Sequence, residues 1–156
     1  MSIRDTYAEQ AWEFALPSAR NVEYLSLGLW GEVGELASLV AKSIRDETEL
    51  DKTAVAKELG DVMWFTAASA MLMDTEGEFK YILRYAESID NARTLVEEAE
   101  AVLDATIRTD FVDLFDSIAS LAHGVGYTLD EVLEMNLAKL QSRRDRGKIT
   151  GSGDDR

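Results

Sequence analysis

GLWGEVGELA (residues 28–37) and AKELGDVMWF (residues 56–65) decide the fold of this chain. Both are apolar stretches that carry two acidic residues three positions apart. The two pairs are Glu32 with Glu35, and Glu58 with Asp61. On an α-helix the members of such a pair point the same way, with Cβ atoms about 5–6 Å apart. Each stretch therefore predicts a helix that presents two carboxylates beside an apolar face.

The four carboxylates predict a metal site. A carboxylate near a core is costly unless a cation offsets it, so two acidic pairs in apolar helices indicate a cation between them. Oxygen ligands favour a hard ion, and a chain with no cysteine and one histidine is a poor candidate for zinc. Two such helices that face each other predict a Mg²⁺ site, with Mn²⁺ as a substitute. Four carboxylates exceed the need of one Mg²⁺, which leaves open either two ions or one ion and a general base.

Length and composition place the chain among globular proteins. At 156 residues with 46% hydrophobic content, the simplest organisation is one domain over residues 1–156. The net charge of −14 disfavours nucleic acid and anionic membranes as partners. The sequence has no apolar run of the roughly 20 residues that a membrane span needs. The expected location is the cytoplasm, as the default for a cysteine-free chain without a signal-peptide pattern.

Hydrophobic periodicity and a single proline predict an all-α fold. Pro17 ends the first helix, and Thr128 with Glu131 forms a capping box that begins the last one. Residues 147–156 have the composition of a flexible tail. The predicted helices cover residues 3–16, 21–45, 53–73, 79–107 with a break near Asp90 and Asn91, 110–123 and 128–144.

Three glycines recur every third residue in the second predicted helix: Gly28, Gly31 and Gly34. A glycine inside a helix costs about 1 kcal/mol relative to alanine, so three of them need a reason. Either a neighbouring helix approaches closely or a ligand needs the space. The sequence leaves both explanations open, and they are compatible.

The last predicted helix carries a polar stripe beside its apolar face. The stripe consists of Asn136, Lys139, Arg143 and Arg146. Its ammonium and guanidinium groups are suitable donors for phosphate oxygens. An acidic metal site combined with a cationic helix suits hydrolysis of a phosphoanhydride, in which the metal activates the attacking water. Among the remaining aromatic residues, Trp12, with Gln10 nearby, is the candidate for a nucleobase contact.

At this point three segments resemble a known family, the MazG-type all-α nucleoside triphosphate pyrophosphohydrolases. They are GLWGEVGELASLVAK (28–42), KELGDVMWF (57–65) and GYTLDEVLEMNLAKLQSRRDRGKITGSGDDR (126–156). The resemblance covers about residues 20–73 and 117–156. It implies a four-helix-bundle-like core, with about residues 74–113 as an inserted helical segment. Many relatives have a further Glu at the place of Gly31.

The resemblance also implies an activity: Mg²⁺-dependent hydrolysis of (deoxy)nucleoside triphosphates to monophosphate and pyrophosphate, in house-cleaning of the nucleotide pool. The resemblance then assigns triphosphate binding to Asn136, Lys139, Arg143 and Arg146. The metal role belongs to Glu32, Glu35, Glu58 and Asp61, and we hypothesise that Glu32 or Glu35 doubles as the general base. Residues 151–156 would close over the nucleotide, and the protein would be a homodimer or homotetramer.

Two alternatives remain open at the level of sequence. One is a pyrimidine-specific dUTP or dCTP pyrophosphatase, whose specificity the region of Gln10, Trp12 and Tyr24 would decide. The other is a non-catalytic helical module that binds a nucleotide or a metal without turnover. Product formation distinguishes the second alternative from an enzyme.

Overall fold

The computed structural model describes residues 2–88 and 93–148. Within these residues all the regular secondary structure is helical, which confirms the all-α prediction. A short 3₁₀ turn, Pro17–Ala19, separates the first two α-helices. The α-helices are α1 (Ile3–Trp12), α2 (Val22–Asp46), α3 (Lys52–Leu72), α4 (Glu76–Tyr85), α5 (Leu95–Arg108), α6 (Phe111–Gly124) and α7 (Leu129–Asp145).

Side-chain caps fix where the helices begin. The predicted capping box of α7 is present: the Glu131 amide donates to Thr128 Oγ1 (3.2 Å) and the Thr128 amide donates to Glu131 Oε2 (2.7 Å). Asn21 caps α2 in the same way, accepting a hydrogen bond from the amide of Tyr24 (2.8 Å). Such caps satisfy amides that lack a partner in the first turn. The predicted beginnings of these helices are therefore correct to within a residue.

The end of α1 differs from the prediction. The helix ends at Trp12 rather than at residue 16, because the chain tightens into bonds between residues three apart. The Phe14 amide donates to the Ala11 carbonyl (3.1 Å) and the Ala15 amide to the Trp12 carbonyl (3.0 Å). Leu16 is extended (ψ 148°), as a residue before proline prefers. Pro17 therefore begins the 3₁₀ turn rather than ending α1, and the predicted end of the helix was wrong by four residues.

Helix α3 lies at the centre of the fold. It is buried on most sides and packs against α1, α2 and α7. A helix that is apolar all round belongs inside a protein. Helix α2 instead buries one face, which includes Leu25, Val33 and Leu36, and leaves the opposite face to solvent. This difference between α2 and α3 determines the geometry of the site described below.

Helices α4 and α5 and the beginning of α6 correspond to the predicted insertion at about residues 74–113. Helix α4 lies antiparallel on α1, where Lys80 pairs with Glu9 and Arg84 with Asp5. Side chains of these helices join the same buried core as α3. The predicted break at Asp90 and Asn91 and the tail beyond residue 148 lie outside the described residues. None of the described helices combines the length and the apolar character of a membrane span.

Candidate metal centre

Three of the four predicted carboxylates converge in space. Glu32 comes from α2, and Glu58 and Asp61 come from α3, one turn apart. One oxygen atom of each lies within 4.8 Å of an oxygen of the other two. Opposite ligands of Mg²⁺ are separated by about 4 Å, so small side-chain adjustments suffice for these oxygens to share an ion. The donor set is all oxygen, as a hard cation requires.

Asp61 is held from both sides by helix α7. Asn136 Nδ2 donates a hydrogen bond to Asp61 Oδ1 (2.9 Å), and the Lys139 ammonium pairs with Asp61 Oδ2. Gly60 makes this approach possible, because a Cβ there would lie only 3.0 Å from Asn136 Cβ and 3.4 Å from the Val132 carbonyl oxygen. The Asn136 and Lys139 side chains of the predicted polar stripe therefore face the acidic residues of α3.

Behind Asn136 lies a buried tyrosine that the sequence analysis did not identify. Tyr7 of α1 is fully buried, and its hydroxyl donates to Asn136 Oδ1 (2.8 Å). Burial, and after it the negative charge of Asp61, raises the pKa of Tyr7 well above its ordinary value. The hydroxyl is therefore neutral and keeps its proton at any physiological pH.

Glu32 lies in surroundings that disfavour the charged form of its carboxyl group. Burial raises the pKa of Glu32 to about 7, and the charges of Asp61, Glu35 and Glu58 act in the same direction, in that order. Lys139 acts in the opposite direction but does not offset them. A divalent cation would add positive charge beside these carboxylates and offset their mutual repulsion.

A cleft of about 430 Å³ adjoins the carboxylates. This volume is in the range of pockets that hold small organic ligands. The walls are mainly apolar and aromatic, and three charged side chains (Glu32, Asp61 and Arg143) also line the cleft. The remaining lining residues are Phe14, Leu16, Ala19, Tyr24, Leu27, Gly28, Gly31, Trp64, Phe65 and Leu140.

The two explanations for the glycines of α2 apply to different residues. A Cβ at Gly28 would overlap the ring of Phe65, so Gly28 is required for close contact between α2 and α3. A Cβ at Gly31 or at Gly34 would meet nothing within 4 Å. Gly31 also lines the cleft, so its missing side chain leaves room for a ligand.

The other predicted site residues lie in different surroundings. Glu35 is solvent-exposed and is not among the converging carboxylates, although its charge reaches Glu32. Arg143 is buried and lines the cleft. Arg146, at the end of α7, is exposed and donates through Nε to the Ser142 carbonyl (3.3 Å).

The predicted nucleobase contacts are not among the lining residues. Gln10 is exposed and donates to Thr6 Oγ1 (2.7 Å). The Trp12 ring lies under the guanidinium of Arg20, whose Cζ is 4.5 Å from the ring centroid. The aromatic residues in the cleft wall are instead Phe14, Tyr24, Trp64 and Phe65. Of these, Trp64 and Phe65 lie three and four residues after Asp61, about one helical turn further along α3, and this spacing is the local signal for them.

Comparison with known proteins shows what the chain is similar to. Residues 20–90 match the model of the MazG nucleotide pyrophosphohydrolase domain, a segment that contains α2, α3 and all four acidic residues. The Gene 37 protein of Mycobacterium phage L5 is 29% identical over 143 residues, which are 89% of this chain and 80% of that protein. No solved structure gives a significant match. The sequence resemblance is thereby supported: residues 20–90 are similar to the MazG-type domain.

Proposed function

We propose that the protein hydrolyses (deoxy)nucleoside triphosphates to monophosphate and pyrophosphate with Mg²⁺ as cofactor, in house-cleaning of the nucleotide pool. The observation that carries this proposal is the convergence of Glu32, Glu58 and Asp61 at the edge of an aromatic cleft. The match to a nucleotide pyrophosphohydrolase domain supports the general activity.

Glu32, Glu58 and Asp61 would hold the divalent cation. When bound, the cation polarises a phosphoryl group and lowers the pKa of the attacking water. The proton of that water passes to a carboxylate oxygen of Glu32 or Glu35. Glu32 belongs to the carboxylate cluster, whereas Glu35 lies one helical turn further along α2, towards solvent.

Cationic side chains of α7 would bind the triphosphate. Lys139 lies beside Asp61, so its ammonium can donate to a phosphate oxygen at the carboxylate cluster. Arg143 contributes a guanidinium from within the cleft, where its planar group suits bidentate contact with a phosphate. Arg146, at the exposed end of the same helix, extends this row of positive charge.

The aromatic wall offers a surface for the nucleobase. Trp64 and Phe65 meet edge to face with ring centroids 4.8 Å apart, and Tyr24 lies 5.8 Å from Phe65. The Trp64 indole N–H already donates to the Ala11 carbonyl (3.1 Å), which fixes the ring in the wall. Stacking on such rings accepts any base, because every base has a π face. Gln10 and Trp12 remain predictions for base contacts made from α1.

We also propose that the protein is a homodimer or homotetramer, with α2 at the contact. One face of α2, at the mouth of the cleft, exposes Leu27 (72%) and Trp30 (49%) and also carries the open Gly31 and Gly34 positions. An exposed apolar helix face of this kind is typical of association surfaces. We expect sedimentation equilibrium to give more than one subunit for the wild type and a smaller assembly for Trp30→Glu. A monomeric wild type would contradict this part of the proposal.

Product analysis tests the activity. Purified protein is incubated with Mg²⁺ and a panel of canonical and damaged (deoxy)nucleoside triphosphates, and pyrophosphate and orthophosphate are measured separately. Glu58→Gln removes one carboxylate of the cluster, and Glu100→Gln on the exposed side of α5 is the matched control. We expect pyrophosphate release from the wild type and from Glu100→Gln, and none from Glu58→Gln.

The other outcomes separate the alternatives. Turnover confined to dUTP or dCTP would identify a pyrimidine-specific enzyme. Orthophosphate in place of pyrophosphate would mean a different phosphatase. Nucleotide binding without any product would favour the non-catalytic module.

A further inference from the structure

Helix α1 lies before the matched domain, yet it reaches the metal centre through one buried hydroxyl. Tyr7 is fully buried, and its hydroxyl lies 2.8 Å from Asn136 Oδ1 and 3.5 Å from the Gly60 carbonyl oxygen. Phenylalanine would fill the same volume without the cost of burying a polar group. The hydroxyl therefore calls for an explanation beyond packing.

The hydroxyl determines which way the Asn136 amide faces. A side-chain amide has an acceptor oxygen on one side and a donor NH₂ group on the other. With Oδ1 accepting from Tyr7, the NH₂ group faces Asp61 and donates to Oδ1 of that carboxylate. The reversed amide would set its oxygen against the Asp61 carboxylate, acceptor against acceptor. It would also require Tyr7 to donate across the 3.5 Å to Gly60, which is longer than a good O–H···O bond.

The amide in turn orients Asp61. Asn136 binds Oδ1 and Lys139 binds Oδ2, so each oxygen of this carboxylate has a fixed partner from α7. Loss of a group that orients a metal ligand from behind typically weakens metal binding by about 10–100-fold. Asn136 is itself almost fully buried, so its orientation depends on neighbours in the protein rather than on water.

We propose that Tyr7 is a positioning residue of the metal centre: its hydroxyl fixes the Asn136 amide, which holds Asp61 in the orientation that binds the divalent cation. The inference rests on the proposed metal role of Asp61, but it does not depend on which nucleotide is hydrolysed. A purely structural role would make Tyr7 relevant to folding alone.

The test measures Mn²⁺ binding to the full chain without nucleotide, by paramagnetic resonance of the free ion. Tyr7→Phe removes one oxygen atom and keeps the ring. Tyr127→Phe is the matched control, because its hydroxyl bonds to Thr53 Oγ1 (3.0 Å) rather than to the residues around Asp61. We expect the Kd for Mn²⁺ to rise about 10–100-fold in Tyr7→Phe, as for loss of a group behind a metal ligand. It should change less than about twofold in Tyr127→Phe, with circular dichroism unchanged in both.

A second variant shows whether the effect passes through the amide. In an Asn136→Leu background, Tyr7→Phe should raise the Kd no further, because residues that act in series are not additive. An unchanged Kd in Tyr7→Phe, an equal rise in Tyr127→Phe, or additive effects in the double variant would each overturn the inference. Wild-type protein that binds no Mn²⁺ would overturn the proposed metal site as well, which separates the two failures.

Discussion

The two acidic pairs have the same spacing, but the fold uses them differently. On α3 both Glu58 and Asp61 join the carboxylate cluster, whereas on α2 only Glu32 does and Glu35 is exposed. Helix α3 is buried on most sides, so a polar side chain on its buried sides must find a partner. Helix α2 buries one face, so a side chain at the border of that face can turn to solvent.

Helix geometry explains why a separation of three positions has different consequences on the two helices. Positions i and i+3 are offset by about 60° around the axis, since each residue turns the helix by about 100°. In the middle of a buried helix an offset of this size leaves both side chains inside. At the border of an amphipathic face it separates a half-buried carboxylate, Glu32, from an exposed one, Glu35.

The largest expected effect is on the α3 pair. Asp61→Asn keeps the shape of the side chain but removes a charge that pairs with Lys139. We expect pyrophosphate release to fall by more than about 100-fold, beyond the usual loss from a group behind a metal ligand. Initial rates at saturating Mg²⁺ measure this. Asp46→Asn, an exposed carboxylate at the end of α2, is the control and should match the wild type. If Asp61→Asn kept more than about a tenth of the wild-type activity, the acidic pair of α3 would not be essential to the metal centre.

The contact between the two helices gives the next largest effect. Gly28→Ala would push a methyl group into the Phe65 ring, and overpacking of this kind destabilises a protein by about 1–3 kcal/mol. In Gly31→Ala the added methyl group meets no atom within 4 Å. The higher helix propensity of alanine should therefore stabilise the folded protein by up to about 1 kcal/mol. Urea unfolding measures both free energies. Equal values for the two variants would contradict the separation of a packing glycine from a cleft glycine.

The sequence predicted local features well, because local interactions decide them. The capping box at Thr128 was correct, and so was the apolar character of the segment that forms α3. The Tyr7–Asn136 bond joins residues 129 positions apart and has no local signal. Likewise the cleft brings Phe14, from the turn after α1, against Trp64 of α3. Tertiary packing alone sets such neighbours, so single-sequence patterns identified the acidic residues but not the surface beside them.

The pH dependence of stability sharpens the comparison within α2. The folded protein keeps a proton on Glu32 up to about pH 7, whereas the unfolded chain releases it near the ordinary value of 4.5. The folded state therefore binds more protons in this window, and the free energy of unfolding falls as the pH rises from 4.5 to about 7. Urea unfolding in the presence of a chelator should show this fall in the wild type.

Glu32→Gln should weaken that fall, because the neutral amide does not titrate. Added Mg²⁺ should restore stability at the upper end of the window, since it binds the ionised carboxylates. The matched variant Glu35→Gln should retain most of the fall. An identical pH profile for Glu32→Gln and the wild type would show that another group causes it.

The smallest effect on activity is expected at Glu35, because its side chain is exposed to solvent. Glu35→Gln should lower pyrophosphate release by less than about tenfold, below the range for groups that orient a metal ligand. It should also move the pH midpoint of Glu32 downwards, because the Glu35 charge raises the pKa of Glu32. Initial rates and the pH-dependent unfolding series check both effects. A loss as large as that of Asp61→Asn would mean that Glu35 turns inwards during turnover. In that case both acidic pairs would take part in catalysis, as the spacing of the four carboxylates in the sequence predicts.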